Sequence, residues 1–108
     1  MRDSLAQSLA RLGLEGRVVR GAGAALALLG QVGPAAVIVV GPVHAETYRA
    51  LRRATPVPLL ALDPQADDEQ VLAAFAAGVD QFQAGPITPD EVAARVEALL
   101  RRARRMVV

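Results

Sequence analysis

His44, Asp63, Asp67 and the arginines near the end of the chain are the side chains whose types and spacing are open to chemistry. His44 follows one apolar run by a few residues, and Asp63 and Asp67 follow a second. Ligands bind at the carboxyl ends of strands in open α/β sheets, and there an imidazole with carboxylates can bind a metal ion or move a proton. The competing reading of His44 is a solvated loop residue with no fixed partner. Asp67-Asp68-Glu69 is accounted for by the field at the start of a helix, and no spaced set of calcium ligands accompanies it. Arg101, Arg102, Arg104 and Arg105 can contact phosphates or an acidic partner, although arginine is also favoured at a helix C-terminus. The chain has no cysteine, which removes thiolate metal sites, disulfides and a cysteine nucleophile. All 12 basic residues are arginine, so lysine chemistry is absent as well.

The elements that must position these groups follow from two charge-free runs. Ala35-Ala36-Val37-Ile38-Val39-Val40 is fenced by Gly33-Pro34 and Gly41-Pro42, and reads as a central strand buried on both faces. Val57-Pro58-Leu59-Leu60-Ala61-Leu62 reads as a second one, ending at Asp63-Pro64. Between them, Val43 to Arg53 has the pattern of a crossover helix with Glu46, Arg49 and Arg53 on an exposed face. Upstream, Leu5, Leu9 and Leu12 recur at helical spacing over Ser4 to Leu12, Arg17-Val18-Val19-Arg20 reads as an edge strand, and Ala24 to Leu29 as a small apolar helix. Downstream, a helix is expected with Val71, Leu72, Phe75 and Ala76 turned inward and Gly78 as its cap, then a short strand Gln81-Phe82-Gln83. Thr88-Pro89-Asp90-Glu91 has the form of a capping box, opening a last helix with Val92, Val96, Leu99 and Leu100 inward.

Alternation of strands and helices implies an α/β fold with a doubly wound parallel sheet, in a single domain over residues 1–108. A formal charge of +1 gives no global case for a nucleic-acid binder. No stretch has the length of a membrane span, and the start is not a signal sequence, so a cytoplasmic location is expected.

Pro56 to Leu62, Ala77-Gly78-Val79-Asp80-Gln81-Phe82, Gly85-Pro86-Ile87 and the terminal Ala94 to Arg102 together resemble the receiver (CheY-like) domain of two-component response regulators. The resemblance covers about Ser4 to Arg102 and implies a flavodoxin-like sheet of order 2-1-3-4-5. It also implies a phosphoryl-accepting aspartate, which here falls on Val40, a hydroxyl residue, which falls on Asp63, and a lysine, which falls on Gly85. The acidic pair that holds Mg²⁺ in that family would precede Met1. Phosphoryl transfer needs positioning and charge neutralisation, so these substitutions imply a degenerate pseudo-receiver without catalysis or cofactor. Phe82 falls on the aromatic switch position, with a core aromatic as the plainer reading. The resemblance further implies an interaction surface at Asp80, Arg95, Glu97, Arg101 and Arg102.

The expected function is a phosphorylation-independent interaction or dimerisation module in signal transduction or transcriptional regulation, with a protein partner or a second copy. A small regulator touching nucleic acid through the arginines is the alternative, as is a receiver piece of a longer regulator. In the 2-1-3-4-5 order the first strand lies beside Ala35–Val40, and here it is expected to be missing or replaced by the C-terminal segment. Met106, Val107 and Val108 are apolar and could fill the slot within the chain or by exchange with a second molecule. A frayed tail is the alternative for that segment.

Overall fold

A computed structural model describes the backbone of residues 2–105 and the side chains of residues 4–102. The residues fall into two compact units, Met1–Val19 with Ile87–Val108, and Arg20–Pro86. In the first, α1 (Arg2–Arg11) packs against α5 (Pro89–Arg105). The apolar spacing read from the sequence places Leu5 and Leu9 of α1, and Val92, Val96, Leu99 and Leu100 of α5, in buried positions. The Ser8 hydroxyl, itself buried, donates to Asp90 Oδ1 at 2.6 Å, and Arg11 reaches the same oxygen at 3.5 Å. Thr88 opens α5 as expected: its hydroxyl accepts the Glu91 N–H at 3.2 Å. Leu12 departs from the expected stripe and is exposed, because α1 ends at Arg11 and the chain turns there, with the Leu14 N–H returning to the Leu9 carbonyl at 2.9 Å.

The second unit carries a three-stranded parallel sheet of order β1-β2-β3, formed by β1 (Val37–Val40), β2 (Leu59–Leu62) and β3 (Gln81–Gln83). Helices α2 (Ala22–Leu29), α3 (Ala45–Ala54) and α4 (Asp68–Ala76) alternate with the strands. Register runs from Val37 opposite Leu59 to Val40 opposite Leu62, and from Leu60 opposite Gln81 to Leu62 opposite Gln83. β2 is buried along its whole length, as its charge-free sequence requires of a strand covered on both faces.

Three features of the structure depart from the expected pattern. Ala35–Val40 is not central: among the described residues β1 is an edge strand, with Val40 exposed, and β2 takes the centre. Arg17-Val18-Val19-Arg20 forms no strand, and all four residues are exposed. A lone β-branched pair between arginines has too little to bury to stay extended without a neighbouring ladder. In α4, Leu72 and Phe75 point outward at 69% and 46% exposure and Ala76 is exposed with them, while Ala74 and the capping Ala77 go in. Tyr48 and the partly buried Phe82 already fill the space around Ala61, Ala74, Ala77 and Val79, so close packing selects the small face of the helix. Met106, Val107 and Val108 lie outside the described residues.

α4 is fixed at both ends. Asp67 accepts the Gln70 N–H at 2.8 Å while the Gln70 side chain accepts the Asp67 N–H at 2.8 Å, a reciprocal cap. At the other end Gly78 takes φ +111, and the Gly78 and Val79 N–H groups return to Phe75 and Ala74 at 3.0 and 3.1 Å. Arg52 then ties the turn to its surroundings. Its guanidinium donates to the Gly78 carbonyl and Asp80 Oδ2, both at 3.0 Å, to the Thr55 carbonyl at 2.8 Å, and to the Val57 carbonyl.

Candidate functional site

The strand register brings Val40, Asp63 and Gly85 to one end of the sheet, the carboxyl end, where a doubly wound fold places its ligands. The ladder continues past the strands. Gly41 donates to the Leu62 carbonyl at 2.7 Å, and Asp63 donates through its backbone to the Gln83 carbonyl at 3.0 Å. Val40 is exposed and brings only an aliphatic side chain to this end of the sheet.

Asp63 is the one buried acidic residue among the described side chains. Its Oδ1 accepts the Gln65 N–H at 3.1 Å, and its backbone carbonyl accepts the Ala66 N–H at 3.2 Å, so the loop into α4 is built around it. The carboxylate lies against Gly41. A Cβ at that glycine would stand 3.1 Å from Asp63 Cβ and 3.4 Å from Oδ2, so the close approach uses the missing side chain. Buried Tyr48 feels the same carboxylate: burial first, and then the charge of Asp63, push its phenol above the ordinary value of 10.0. This end of the sheet therefore carries a fixed negative charge in a partly desolvated setting.

Gly85 has φ +128, a conformation that L side chains rarely adopt, so a cationic side chain at that position would have to be held in a strained backbone. Phe82 packs on the Tyr48–Ala61–Val79 cluster as a partly buried core aromatic. His44 is exposed and precedes α3 without a side-chain cap bond. Among the described residues no group of three or more His, Cys, Asp or Glu is placed to hold a metal ion. No helix among them is long and apolar enough to cross a membrane.

Of the residues expected at an interaction surface, Asp80 is engaged within its own unit: Oδ2 accepts the Leu59 N–H at 2.7 Å as well as Arg52. Arg95 and Glu97 are half-buried on α5, and Arg101 and Arg102 are exposed. Sequence reasoning missed the outward pair Leu72 and Phe75, and it missed Tyr48 beside Asp63. A signal for the first exists in the sequence: Ala74 and Ala77 offer an alternative, smaller inward stripe on the same helix.

No family model matches the chain, and no curated protein matches it. Solved structures do. The receiver domain of a CheY-like response regulator from Methanospirillum hungatei superposes with a TM-score of 0.87 at 18% identity, over 97% of this chain and 88% of that one. An orphan response regulator of H. pylori gives 0.84 at 20% identity, over 93% and 86%. This is the receiver fold. A third neighbour, described as an atypical orphan response regulator with a phosphorylation-independent regulatory mechanism, gives 0.81 at 20% identity, over 92% and 85%. Against the 2-1-3-4-5 order expected of a receiver sheet, β1, β2 and β3 take the places of the third, fourth and fifth strands.

Proposed function

We propose that the chain is a phosphorylation-independent, receiver-like module that works by protein–protein contact in signal transduction or transcriptional regulation. The observation that carries this reading is the chemistry at the carboxyl end of the sheet. Val40 offers no acceptor oxygen, the buried Asp63 carboxylate adds negative charge, and Gly85 offers no cation. The phosphorylation-independent mechanism named for one structural neighbour supports it.

The contact surface is the outward face of α4. Leu72 and Phe75 stand one helical turn apart and exposed, beside Asp68 and Glu69 in the first turn. An apolar patch with acidic neighbours fits a partner segment that is itself apolar and basic. Arg101 and Arg102 of α5 and the half-buried Arg95 and Glu97 are further candidates for contact.

Intact-mass measurement after incubation with acetyl phosphate and Mg²⁺ tests the first half of the reading, and an unmodified mass is expected. A stoichiometric phosphoryl adduct would overturn it. For the second half, a photo-crosslinking residue at position 72 in producing cells should give one discrete adduct that Phe75→Glu removes. Unchanged adducts in that variant would show that α4 is not the contact surface.

A further inference from the structure

Burial and charge are out of balance at one side chain of the sheet unit. Asp63 is 6% exposed, and a buried carboxylate is ordinarily matched by a cation. The ion pairs among the described residues, Arg11–Asp90, Arg49–Glu46 and Arg52–Asp80, place their arginines on carboxylates that stand largely in water, and none includes Asp63. One of its two oxygens is also unengaged. Oδ1 accepts the Gln65 N–H at 3.1 Å, whereas Oδ2 has no hydrogen-bond partner among the described residues. Tyr48, 3% exposed, is in the same condition, since its phenol makes no hydrogen bond among them. No described side-chain polar atom is both enclosed and unpartnered, so Oδ2 and the phenol tip each open to solvent from side chains that are otherwise buried. Two glycines keep the space beside them clear. A Cβ at Gly41 would stand 3.4 Å from Oδ2, so the absent side chain uncovers that oxygen, and a Cβ at Gly85 would meet nothing nearer than Gln83 Nε2 at 3.9 Å.

We propose that the carboxyl end of the sheet holds a primary ammonium group, with Asp63 Oδ2 as its counter-charge and the Tyr48 phenol oxygen as a second acceptor. The free acceptors select among cations. A guanidinium fork calls for both oxygens of a carboxylate, and here the Gln65 backbone already holds one. A divalent metal ion needs more ligands than one carboxylate oxygen, and among the described residues no group of three or more His, Cys, Asp or Glu is placed to supply them. An ammonium is a compact point charge with three donors, which suits one carboxylate oxygen and a neighbouring phenol. Tyr48 stays neutral at ordinary pH, because burial and then the charge of Asp63 push its phenol above 10.0, so one ammonium balances one carboxylate.

The chain has no lysine of its own to bring to this place. The ammonium therefore comes from outside, on the lysine of a partner protein or on a small free amine. The site needs neither Leu72 nor Phe75, so it goes beyond the reading of α4 as a contact surface, and the two fail separately.

Titration of the isotope-labelled full chain with methylammonium chloride, against tetramethylammonium chloride at the same ionic strength, tests the assignment through amide chemical shifts. Both salts bring one positive charge, and only the first donates hydrogen bonds. Saturable shifts are expected at Gly41, Asp63 and Gln65 with methylammonium alone, at a dissociation constant of about ten millimolar or weaker, the range open to a ligand of two non-hydrogen atoms. Asp63→Asn keeps an acceptor for the Gln65 N–H while removing the charge, and should weaken binding about tenfold or more. Tyr48→Phe should weaken it severalfold, and serves if the asparagine variant fails to fold. Glu69→Gln, at an exposed acid of the nearby α4 start, should leave it unchanged. A tripeptide with a central lysine and blocked ends separates the two sources: binding about tenfold tighter than methylammonium supports a partner's lysine, and equal or weaker binding supports a free amine. The absence of saturable shifts with methylammonium would overturn the proposal. So would equal shifts with tetramethylammonium, or binding that persists undiminished in Asp63→Asn.

Discussion

Replacing Arg52 with alanine tests whether one guanidinium holds three parts of the sheet unit in register. Arg52 reaches the carbonyls of Thr55 and Val57, on the way from α3 into β2, and the Gly78 carbonyl and Asp80 carboxylate, on the way from α4 into β3. Its side chain is 26% exposed, so water replaces it poorly at these carbonyls. Each lost bond costs about 0.5–1.5 kcal/mol net, which over Thr55, Val57 and Gly78 comes to about 3 kcal/mol. The ion pair adds little, because the Asp80 side chain is 44% exposed and such pairs are worth about 0–1 kcal/mol. A loss of this size is a large share of a total stability of about 5–15 kcal/mol. Arg52→Lys keeps the charge but not the planar fork, and should lose about 2 kcal/mol. Asp80→Asn keeps an acceptor for the Leu59 N–H and should lose about 1 kcal/mol or less. Urea unfolding followed by tyrosine fluorescence reads all three, since Tyr48 is the chain's one tyrosine, there is no tryptophan, and the ring is buried in this unit. A lower midpoint at unchanged slope is the expected signature. Unfolding of Arg52→Ala within about 0.5 kcal/mol of the wild type, a shift typical of an inert surface position, would refute this role for Arg52. A lysine variant that matches the wild type would do so too, because charge alone would then account for the effect.

Further expectations follow from single contacts. Tyr48 has its phenol pushed above 10.0, so the folded form holds the proton longer than the unfolded form; stability is fully present below pH 10.0 and is lost as pH rises through the folded value, a loss that Tyr48→Phe should abolish in alkaline unfolding curves. Asp63→Asn should lower the Tyr48 value without restoring it fully in a tyrosinate absorbance titration, since burial is the larger cause. Ser8→Ala removes the 2.6 Å bond to Asp90 from a buried hydroxyl and should cost about 1 kcal/mol in thermal or urea unfolding. Asp67→Ala breaks the reciprocal cap of α4 and should cost about 1 kcal/mol, with faster amide exchange at Gln70.

Local signals in the sequence are informative about several strand starts and helix ends, where the answer depends on neighbours in the chain. The fencing of the two apolar runs by Gly and Pro placed β1 and β2 to within two residues at their starts, and Thr88 and Gly78 marked a helix start and a helix end by their chemistry. Reading failed where a residue's fate depends on what stands beside it in space. Leu72 and Phe75 are more hydrophobic than Ala74 and Ala77, yet they face outward because the volume under α4 is already taken by Tyr48 and Phe82. The position of β1 at the edge, and the absence of a strand at Arg17–Arg20, depend on which strand lies alongside, and no periodicity within either segment carries that information. At the candidate site, the gathering of Val40, Asp63 and Gly85 at the carboxyl ends of the strands was legible from where the apolar runs stop. The engagement of Asp80 with Arg52 and of Asp63 with Gly41 was not, since each joins residues more than 20 positions apart.

The contact between Gly41 and Asp63 has a consequence for how such sequences can drift. Asp63 is held by a ladder bond to Gln83 and by the turn bonds to Gln65 and Ala66, so it cannot retreat far from a neighbour that grows a side chain. A Cβ at position 41 would sit 3.1 Å from its own, closer than ordinary van der Waals contact. Position 41 is thus hardly free to change while Asp63 stays where it is, whereas position 63 can change beside a glycine. Among chains descended from a common ancestor with this one, a side chain at position 41 should be accompanied by a shift of the backbone at position 63 or by glycine there, since the nearest atom it meets is the Asp63 Cβ.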